Sequence, residues 1–431
     1  MYNISFALNI MQLSTHDKSA LDDLIKNLPS DYQQTAIDTK AFLRARKIMS
    51  PMELMHLVLM YCGIDQVLRE VAGNFTLINE SITDTAIQKR LEACEPWLKM
   101  ILEQMWFTGI SKLPGNLRLI LIDGSSLSVP GADGTSYRLH IAIDLVRLSI
   151  VHIEVTNKHV GESLKHFQLQ EGDIVVVDRG YNHPQEIINI SDQGVLITLR
   201  LNPNSMRLYS VGGKQKINVS KILLEAKADQ VCFEAWITNK AKHYVKVWIH
   251  AQRLPESLRA EARRKCKSNS KSKNLKQETL MYAEWKMVLT TVPKEVLDSD
   301  TILELYKLRW QVELYIKRLK SLLNIDKLRS KEGSKLNTVW IYGKLLFTTL
   351  LMKRTDKKFS VGGMEPEKTR DTTPWRFWKM IRDEMKSIIL AVASWKDRQY
   401  SAAVEVMKER SRKRKLQSLP LKVKDLVLKF S

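Results

Sequence analysis

Two short runs of branched apolar residues, each followed by an aspartate, constrain the fold of this chain most. Residues 119–122 (LILI) run directly into Asp123, and residues 174–177 (IVVV) run into Asp178. Runs of this length and composition are typical of strands that are buried on both faces of a sheet. Functional sites of α/β sheets tend to lie where such strands end. The sequence therefore predicts an α/β sheet with Asp123 and Asp178 at its edge.

The segments that follow Asp123 extend this prediction. Apolar and β-branched residues at 139–146 and 148–156 predict a hairpin, because little separates the two runs. A short helix is expected at 162–169, a longer one at Pro184–Ser191, and a further strand at 195–201. The order strand, strand, strand, helix, strand, helix, strand then needs one closing helix to cover the sheet.

The stretch 306–320, YKLRWQVELYIKRLK, is the candidate for that closing helix. Its polar members recur at steps of three and four, which predicts one stripe on a single helix: Tyr306, Arg309, Glu313, Lys317 and Lys320. An apolar stripe beside it can pack on a core. Taken alone, Glu313 and Lys317 are an ordinary i,i+4 pair on a solvated flank, worth about 0.2–0.5 kcal/mol. Packed on the sheet, the helix would bring Glu313 to the two aspartates.

The charge of the chain favours a polyanionic partner. Its 431 residues include 68 Lys and Arg against 47 Asp and Glu, a formal net charge of +21. Such an excess of cations points first to nucleic acid. No apolar run approaches the roughly 20 residues of a membrane span, and the N-terminus lacks the features of a signal peptide. We therefore expect an intracellular protein with no membrane partner.

Asp123, Asp178 and Glu313 together suggest a metal site. Like charges at short range raise each other's pKa, so three converging carboxylates need a neutralising cation. Hard oxygen ligands suit Mg²⁺ or Mn²⁺. Two such ions about 3.5–4 Å apart can activate an attacking water or 3′-hydroxyl and stabilise the leaving oxygen. The predicted reaction class is phosphoryl transfer on nucleic acid.

Other candidate ligands carry weaker signals. The four cysteines form no CxxC pair and the nine histidines no HExxH motif, which argues against a zinc site. His140 and Asp144 share a strand face at period two, and Asp133, Glu162 and Asp173 lie nearby in sequence. Acids in such positions are more often turn or surface residues, and we interpret these acids in that way.

The motifs resemble those of the insertion-sequence-four type of DDE transposases. The matching residues are Asp123 in LIDGS, Asp178 in VVVDRGY, and Y-x2-R-x3-E-x6-K at Tyr306, Arg309, Glu313 and Lys320. The resemblance covers residues 117–320. It implies an α/β fold of the ribonuclease-H-like class, with a mixed sheet flanked by helices. In that family a β-rich insertion separates the second Asp from the Glu, which corresponds here to residues 206–292.

The resemblance also implies a role for each matching residue. The metal-binding catalytic triad would be Asp123, Asp178 and Glu313, with Mg²⁺ or Mn²⁺ as the cofactor and two ions in the site. DNA-binding residues that contact phosphates near the transposon end would be Tyr306, Arg309 and Lys320.

Three further residues are DNA-binding candidates. Family members that excise through a DNA hairpin stack a flipped base on a tryptophan late in the insertion, and Trp285 stands in the matching place. Trp310 lies beside the signature arginine and can wedge near the same strand. Each tryptophan has an equally good interpretation as a core residue. Arg179, next to the second aspartate, either contacts DNA or pairs with a carboxylate.

We divide the chain into five segments. They are a helical N-terminal DNA-binding domain (1–112), the first part of the catalytic core (113–205), the β-rich insertion (206–292), the closing helices of the core (293–355) and a C-terminal helical region (356–431). The N-terminal helices have a second interpretation as a scaffold. Within the insertion, the polar residues 259–276 are expected to form a mobile basic loop. Residues 360–374 are expected to form a loop, and 408–415 a basic run.

The leading hypothesis is a DNA transposase that cleaves at terminal inverted repeats and joins the ends to target DNA. Its partners would be double-stranded DNA and a second copy in a homodimeric synaptic complex, in the cytoplasm at the bacterial nucleoid. One alternative is a metal-dependent nuclease of the same fold without strand transfer. Another is a catalytically silent DNA-binding derivative.

Overall fold

The computed structural model describes residues 21–107, 117–145, 149–213, 215–269, 275–361 and 374–391. They form two compact units. The sheet unit lies within Trp106–Ser321, and the helical unit comprises the described residues up to Met105 and from Leu322 onward. The basic run expected at 408–415 lies outside the described residues, as do residues 362–373 of the expected loop.

The sheet unit is built on one eight-stranded sheet in the order β3-β2-β1-β4-β5-β8-β7-β6. Strands β1, β2 and β3 pair antiparallel, whereas β4 pairs parallel with both β1 and β5. This mixed sheet with flanking helices is the predicted ribonuclease-H-like class of fold, and β2 and β3 are the predicted hairpin. The strands are β1 Arg118–Leu127, β2 Tyr137–Asp144, β3 Ser149–Asn157, β4 Asp173–Val177, β5 Leu196–Arg200, β6 Gln230–Thr238, β7 Tyr244–Arg253 and β8 Trp285–Thr290.

A buried ion pair fixes the register of β1 against β4. Arg118 and Asp173 begin the two strands and are register partners. Arg118 Nε lies 2.5 Å from Asp173 Oδ1, and Nη2 lies 2.6 Å from Oδ2. Asp123 and Asp178 each follow after five residues (118 to 123, 173 to 178), so the pair aligns them. Asp173 is 0% exposed, which makes our surface interpretation of this residue wrong, because a paired charge can be buried.

The inserted strands extend the main sheet. β6 pairs antiparallel with β7, β7 pairs antiparallel with β8, and β8 pairs antiparallel with β5. These strands were predicted within the β-rich insertion, and the structure pairs them into the same sheet as β1 to β5. Most of the polar stretch 259–276 is helical where we expected a loop, within a helix at Glu256–Ser268. None of the side chains of this helix is buried, so no apolar period marked it in the sequence.

The stretch 306–320 is two helices. The first, Ser299–Lys307, is capped by Asp298, whose side chain accepts from the Thr301 amide at 2.8 Å. The second is Trp310–Leu323. Between them, backbone amides bond to carbonyls three residues back, as from Arg309 to Tyr306, in a turn of 3₁₀ type. The single-helix prediction is therefore wrong.

Two helices of the helical unit begin with a side-chain cap. The Ser50 hydroxyl accepts from the Glu53 amide at 3.2 Å before Pro51, and the Thr83 hydroxyl accepts from the Ala86 amide at 3.2 Å.

No helix in the described part of the chain is long and apolar enough to cross a membrane. The helices of the helical unit are Tyr32–Asp38, Pro51–Val58 with a π-helical continuation at Leu59–Gly63, Leu68–Ile78, Asp84–Leu91, Glu95–Phe107 (to Met105), Lys335–Val361 and Pro374–Ala391.

Buried apolar residues fix the elements that carry the candidate site. Branched residues of β1, β4 and β5 pack against the helix Pro184–Ser191, whose Ile187 and Ile188 are fully buried. Val312, Tyr315 and Leu319, on the apolar side of Trp310–Leu323, are also 0% exposed. The apolar stripe predicted beside Glu313 is therefore buried, which fixes the helix that carries this carboxylate.

Candidate active site

Asp123 lies inside β1, at the point where this strand leaves β4. The parallel pairing of β1 with β4 ends at Leu121, whereas its antiparallel pairing with β2 continues to Leu127. The side chain is 18% exposed, and Oδ1 accepts a hydrogen bond from the Gly124 amide at 2.9 Å. Burial raises the pKa of Asp123 to about 6, with smaller contributions from the charges of Glu313 and Glu162.

Asp178 directly follows β4 and begins the 3₁₀ helix Arg179–Tyr181. The Tyr306 hydroxyl donates to its Oδ1 over 3.4 Å. Burial, followed by the nearby charge of Asp178, raises the pKa of Tyr306 to about 12, so this hydroxyl remains a donor at neutral pH. The two predicted aspartates thus lie on neighbouring strands, and Tyr306 contacts one of them.

Arg309 connects Asp123 with Glu313. Its Nη2 donates to Glu313 Oε1, and its Nη1 lies 3.8 Å from Asp123 Oδ2. The Arg309 side chain is 14% exposed, whereas that of Glu313 is 52% exposed. The charge of Asp178 also acts on Arg309. One guanidinium therefore lies within electrostatic reach of all three predicted triad members.

The other predicted residues of the signature lie around this centre. Lys320 Nζ donates to the Ser126 carbonyl of β1 at 3.1 Å. Trp310 is 53% exposed, so its interpretation as a core residue is wrong. It lines a cavity of about 240 Å³ together with Tyr306, Arg309 and Arg200. Two residues of the signature, Tyr306 and Arg309, thus line a partly cationic cavity.

A second cavity, of about 650 Å³, is lined by Trp285 and Arg179 among other residues. Trp285 is only 4% exposed, in agreement with its interpretation as a core residue, and the Arg253 guanidinium lies 5.7 Å from its ring centroid. Arg179 is exposed and forms no salt bridge within the described residues. Cations that the sequence analysis did not single out also line this cavity: Arg200, Lys265 and Lys286.

Comparison with known proteins decides the family. A family model for the transposase DDE domain matches residues 114–350, more than half of the chain. This chain belongs to the DDE transposase family. The match confirms the resemblance drawn from the motifs at Asp123, Asp178 and 306–320. The DDE transposase is thus a polynucleotidyl transferase, and its family depends in general on divalent metal ions.

Insertion-sequence transposases are among its relatives. The transposase InsL of element IS186A from Escherichia coli K12 is 28% identical over 337 residues, which cover 75% of this chain and 90% of the relative. The transposase of element IS421 from Escherichia coli is 28% identical over 338 residues, with the same two coverages. A solved piggyBac transposase synaptic complex with hairpin DNA shows a weak likeness. Its TM-score is 0.39 and its identity 10%, over 93% of this chain and 76% of that one.

The donor atoms of the DDE transposase suit a divalent ion. Carboxylate oxygens are the ligands that Mg²⁺ and Mn²⁺ prefer. Nevertheless, no group of three or more His, Cys, Asp or Glu side chains is arranged to hold a metal ion among the residues with described positions. The Arg309 guanidinium lies between Asp123 and Glu313 and pairs with both carboxylates.

Glu162 is a candidate site residue outside the predicted motifs. We interpreted it as a turn or surface residue, and it lies in a partly exposed loop, yet its carboxylate lies against Gly124 and Gly180, the glycines that come after the two aspartates. The sequence carries one signal for a side chain in this position. A glycine comes one residue after Asp123 (Gly124) and two residues after Asp178 (Gly180). Asp144 was also interpreted as a turn or surface residue, and it is 0% exposed in β2, as is His140.

Proposed function

We propose that this chain is a cut-and-paste DNA transposase. It cleaves DNA at the terminal inverted repeats of an insertion sequence and transfers the ends into target DNA, with two Mg²⁺ or Mn²⁺ ions. The observation that carries the proposal is the contact of one guanidinium, that of Arg309, with both Asp123 and Glu313. This contact connects Asp123 of the sheet with the helix Trp310–Leu323, which carries Glu313. The chain belongs to the DDE transposase family.

Asp123, Asp178 and Glu313 would hold the ions. When bound, the metal supplies activation of a water or 3′-hydroxyl and stabilisation of the leaving oxygen. The protein contributes placement, because the Arg118–Asp173 pair aligns the two aspartates and the buried stripe fixes the helix that carries Glu313. Glu313 is half exposed, so its side chain has room to change rotamer.

Arg309, Tyr306 and Lys320 would hold the DNA backbone. Arg309 and Lys320 are bonded to protein oxygens in the DNA-free chain. A phosphate offers the same guanidinium a bidentate, charge-assisted partner. Exchange of Glu313 for a phosphate would release the glutamate toward the metal, so DNA binding and metal binding would support each other.

The two cavities offer places for a distorted DNA end. Trp285 lies in the wall of the larger one with Arg179, Arg200 and Lys286, a combination of aromatic ring and cations that suits a flipped base and its phosphate. Because only 4% of Trp285 is exposed, its ring would have to be uncovered before a base could stack on it. The exposed Trp310 would contact the same strand from the smaller cavity. The N-terminal helices would recognise the repeats, and a homodimer would pair two ends in the cytoplasm, at the nucleoid.

The test is strand cleavage and joining by purified full-length protein. The substrate is a labelled duplex of the DNA that flanks the gene and carries the terminal repeat, with Mg²⁺ and a supercoiled target plasmid. Wild type should nick the end and form joined products. Asp178→Asn and Glu313→Gln should reduce both to background, because each removes a charged ligand but keeps the side-chain shape.

Glu304→Gln is the matched control, since Glu304 is a 70% exposed glutamate on the preceding helix and pairs with Lys307 at i,i+3. It should cleave like wild type. Cleavage at wild-type rate by Asp178→Asn or Glu313→Gln would refute the triad. Cleaved ends without joined products, under conditions that bind the target, would indicate a nuclease and refute strand transfer.

A further inference from the structure

Glu162 touches the backbone of both aspartate segments. A β-carbon built on Gly124 would lie 2.9 Å from Glu162 Oε1, and one built on Gly180 would lie 2.1 Å from Oε2. Gly124 directly follows Asp123, and Gly180 comes two residues after Asp178. The Glu162 carboxylate therefore lies between the two segments that the sheet aligns.

The two glycines provide space for this carboxylate. Neither Gly124 nor Gly180 has a positive φ, so the backbone conformation at these positions does not require glycine. Any larger residue at Gly180 would place a β-carbon in contact with Glu162 Oε2 far below a van der Waals distance. The position of Glu162 therefore explains why glycine occupies both positions.

The loop that carries Glu162 is anchored on both sides. Before it, the Gly161 carbonyl oxygen lies 3.2 Å from His166 Nε2, and His166 Nδ1 lies 2.7 Å from Glu154 of β3. After it, the Ser163 hydroxyl and the Leu164 amide donate to the Glu186 carboxylate at 2.9 and 2.8 Å. These bonds fix the backbone at Glu162 to a strand and to the helix Pro184–Ser191.

Glu162 itself lacks a compensating charge. In the described ranges of the chain, no hydrogen bond or salt bridge reaches its carboxylate. Its charge repels that of Asp123, which is close enough to be affected by it. A partly buried, rigidly held carboxylate beside another carboxylate is costly unless a cation joins them.

We propose that Glu162 is a fourth carboxylate of the metal site, contributing an oxygen to the divalent ion held by Asp123 and Asp178. This inference rests on the proposed function. It adds a residue that lies outside the three-acid motif and that reaches the site from the loop between β3 and β4. Glu162 would also keep negative charge at the sheet edge while Glu313 is paired with Arg309.

The test measures Mn²⁺ binding by the full chain without DNA, from the loss of the free-ion electron paramagnetic resonance signal. Thermal unfolding without metal is measured in parallel. Glu162→Gln keeps the shape of the side chain and removes its charge. Glu171→Gln is the matched control, because Glu171 also packs against a glycine, Gly194, but away from the aspartates. Asp178→Asn reports whether the ion binds at this edge at all.

Glu162→Gln should weaken Mn²⁺ binding at least tenfold, the lower end of the range for residues that support metal sites. Its unfolding temperature without metal should equal or exceed that of wild type, because a like-charge repulsion is removed. Glu171→Gln should match wild type in both measurements. A purely structural role for Glu162 predicts the opposite pair of results, a lower unfolding temperature with unchanged Mn²⁺ affinity, and this pair would overturn the inference.

The two proposals fail in distinguishable ways. Wild-type Mn²⁺ affinity in Glu162→Gln with weakened affinity in Asp178→Asn overturns the role of Glu162 and leaves the triad intact. Wild-type affinity in both variants places the ion elsewhere and overturns both proposals.

Gly180→Ala tests the geometry independently of metal. The added methyl should lower the unfolding temperature in the wild-type background, because it displaces Glu162 Oε2. In the Glu162→Ala background the same substitution should have little effect. Equal destabilisation in both backgrounds would overturn the contact.

Discussion

The pairing of Arg118 with Asp173 makes a quantitative prediction about how the site is aligned. The two side chains are 8% and 0% exposed, and Asp173 Oδ2 also accepts from the Gln170 amide at 2.9 Å. Asp173→Asn keeps the shape of the side chain but leaves the Arg118 charge buried without its counter-charge. The perturbation therefore acts at the start of β1 and β4, five residues before Asp123 and Asp178.

The expected magnitude follows from this burial. Removing one partner of a buried ion pair costs about 3–5 kcal/mol, because the remaining charge is desolvated and unpaired. Replacing both partners with apolar residues of similar volume is often nearly neutral. We therefore expect Asp173→Asn to lower the free energy of unfolding of the sheet unit by about 3 kcal/mol or more. The double variant Arg118→Leu, Asp173→Leu should recover most of this loss.

Two measurements check the prediction. Urea unfolding followed by tryptophan fluorescence gives the free-energy difference. Amide hydrogen exchange of peptides that cover 118–123 and 173–178 reports the opening of β1 and β4. A loss of about 3 kcal/mol corresponds to exchange roughly 150-fold faster, since each 1.4 kcal/mol is a factor of ten.

Exchange at unaffected peptides of the helical unit is the internal control. A stability of Asp173→Asn within about 1 kcal/mol of wild type would refute the reasoning, as would a double variant less stable than Asp173→Asn.

The remaining predictions concern pH, helix capping and DNA. Burial, followed by the nearby His166, lowers the pKa of His140 from 6.5 to about 4. The contribution of neutral His140 to the free energy of unfolding is therefore complete above pH 6.5. It is lost as the pH falls toward 4, and the loss amounts to about 2 kcal/mol at pH 5. The free energy of unfolding of His140→Gln, measured at pH 7 and at pH 5, should not show this loss. Ser50→Ala should destabilise the helical unit by about 1 kcal/mol, because the Glu53 amide loses its acceptor, whereas Ser50→Asn should retain wild-type stability in urea titrations. Affinity for repeat DNA should fall as salt rises, and Lys320→Met should reduce the slope of log K against log salt by about 1; an unchanged slope would exclude Lys320 as a phosphate contact.

The sequence by itself determined the local elements and the chemistry. Branched runs before Asp123 and Asp178 predicted buried strands, and the 306–320 motif predicted the third carboxylate and its cations. Ser50 before Pro51 and Thr83 are residue types that favour helix starts. These signals succeed because side-chain periodicity, capping and residue chemistry are read within a few consecutive positions.

Only the tertiary structure decided which distant segments meet. The strands of the insertion join the main sheet through β8 and β5, and Arg118 meets Asp173 inside it. Glu162 fills the space beside two glycines. Such contacts depend on long-range pairing and on the space left by other residues, and neither has a period along the chain.

The break between the two helices of the 306–320 stretch has the same origin. Tyr306 contacts Asp178, and Arg309 reaches Asp123 and Glu313, from the two sides of a tight turn. No proline or glycine marks this turn in the sequence. The spacing of the motif predicted the residues of the candidate site, whereas the tertiary packing of the two helices decided how these residues face one another.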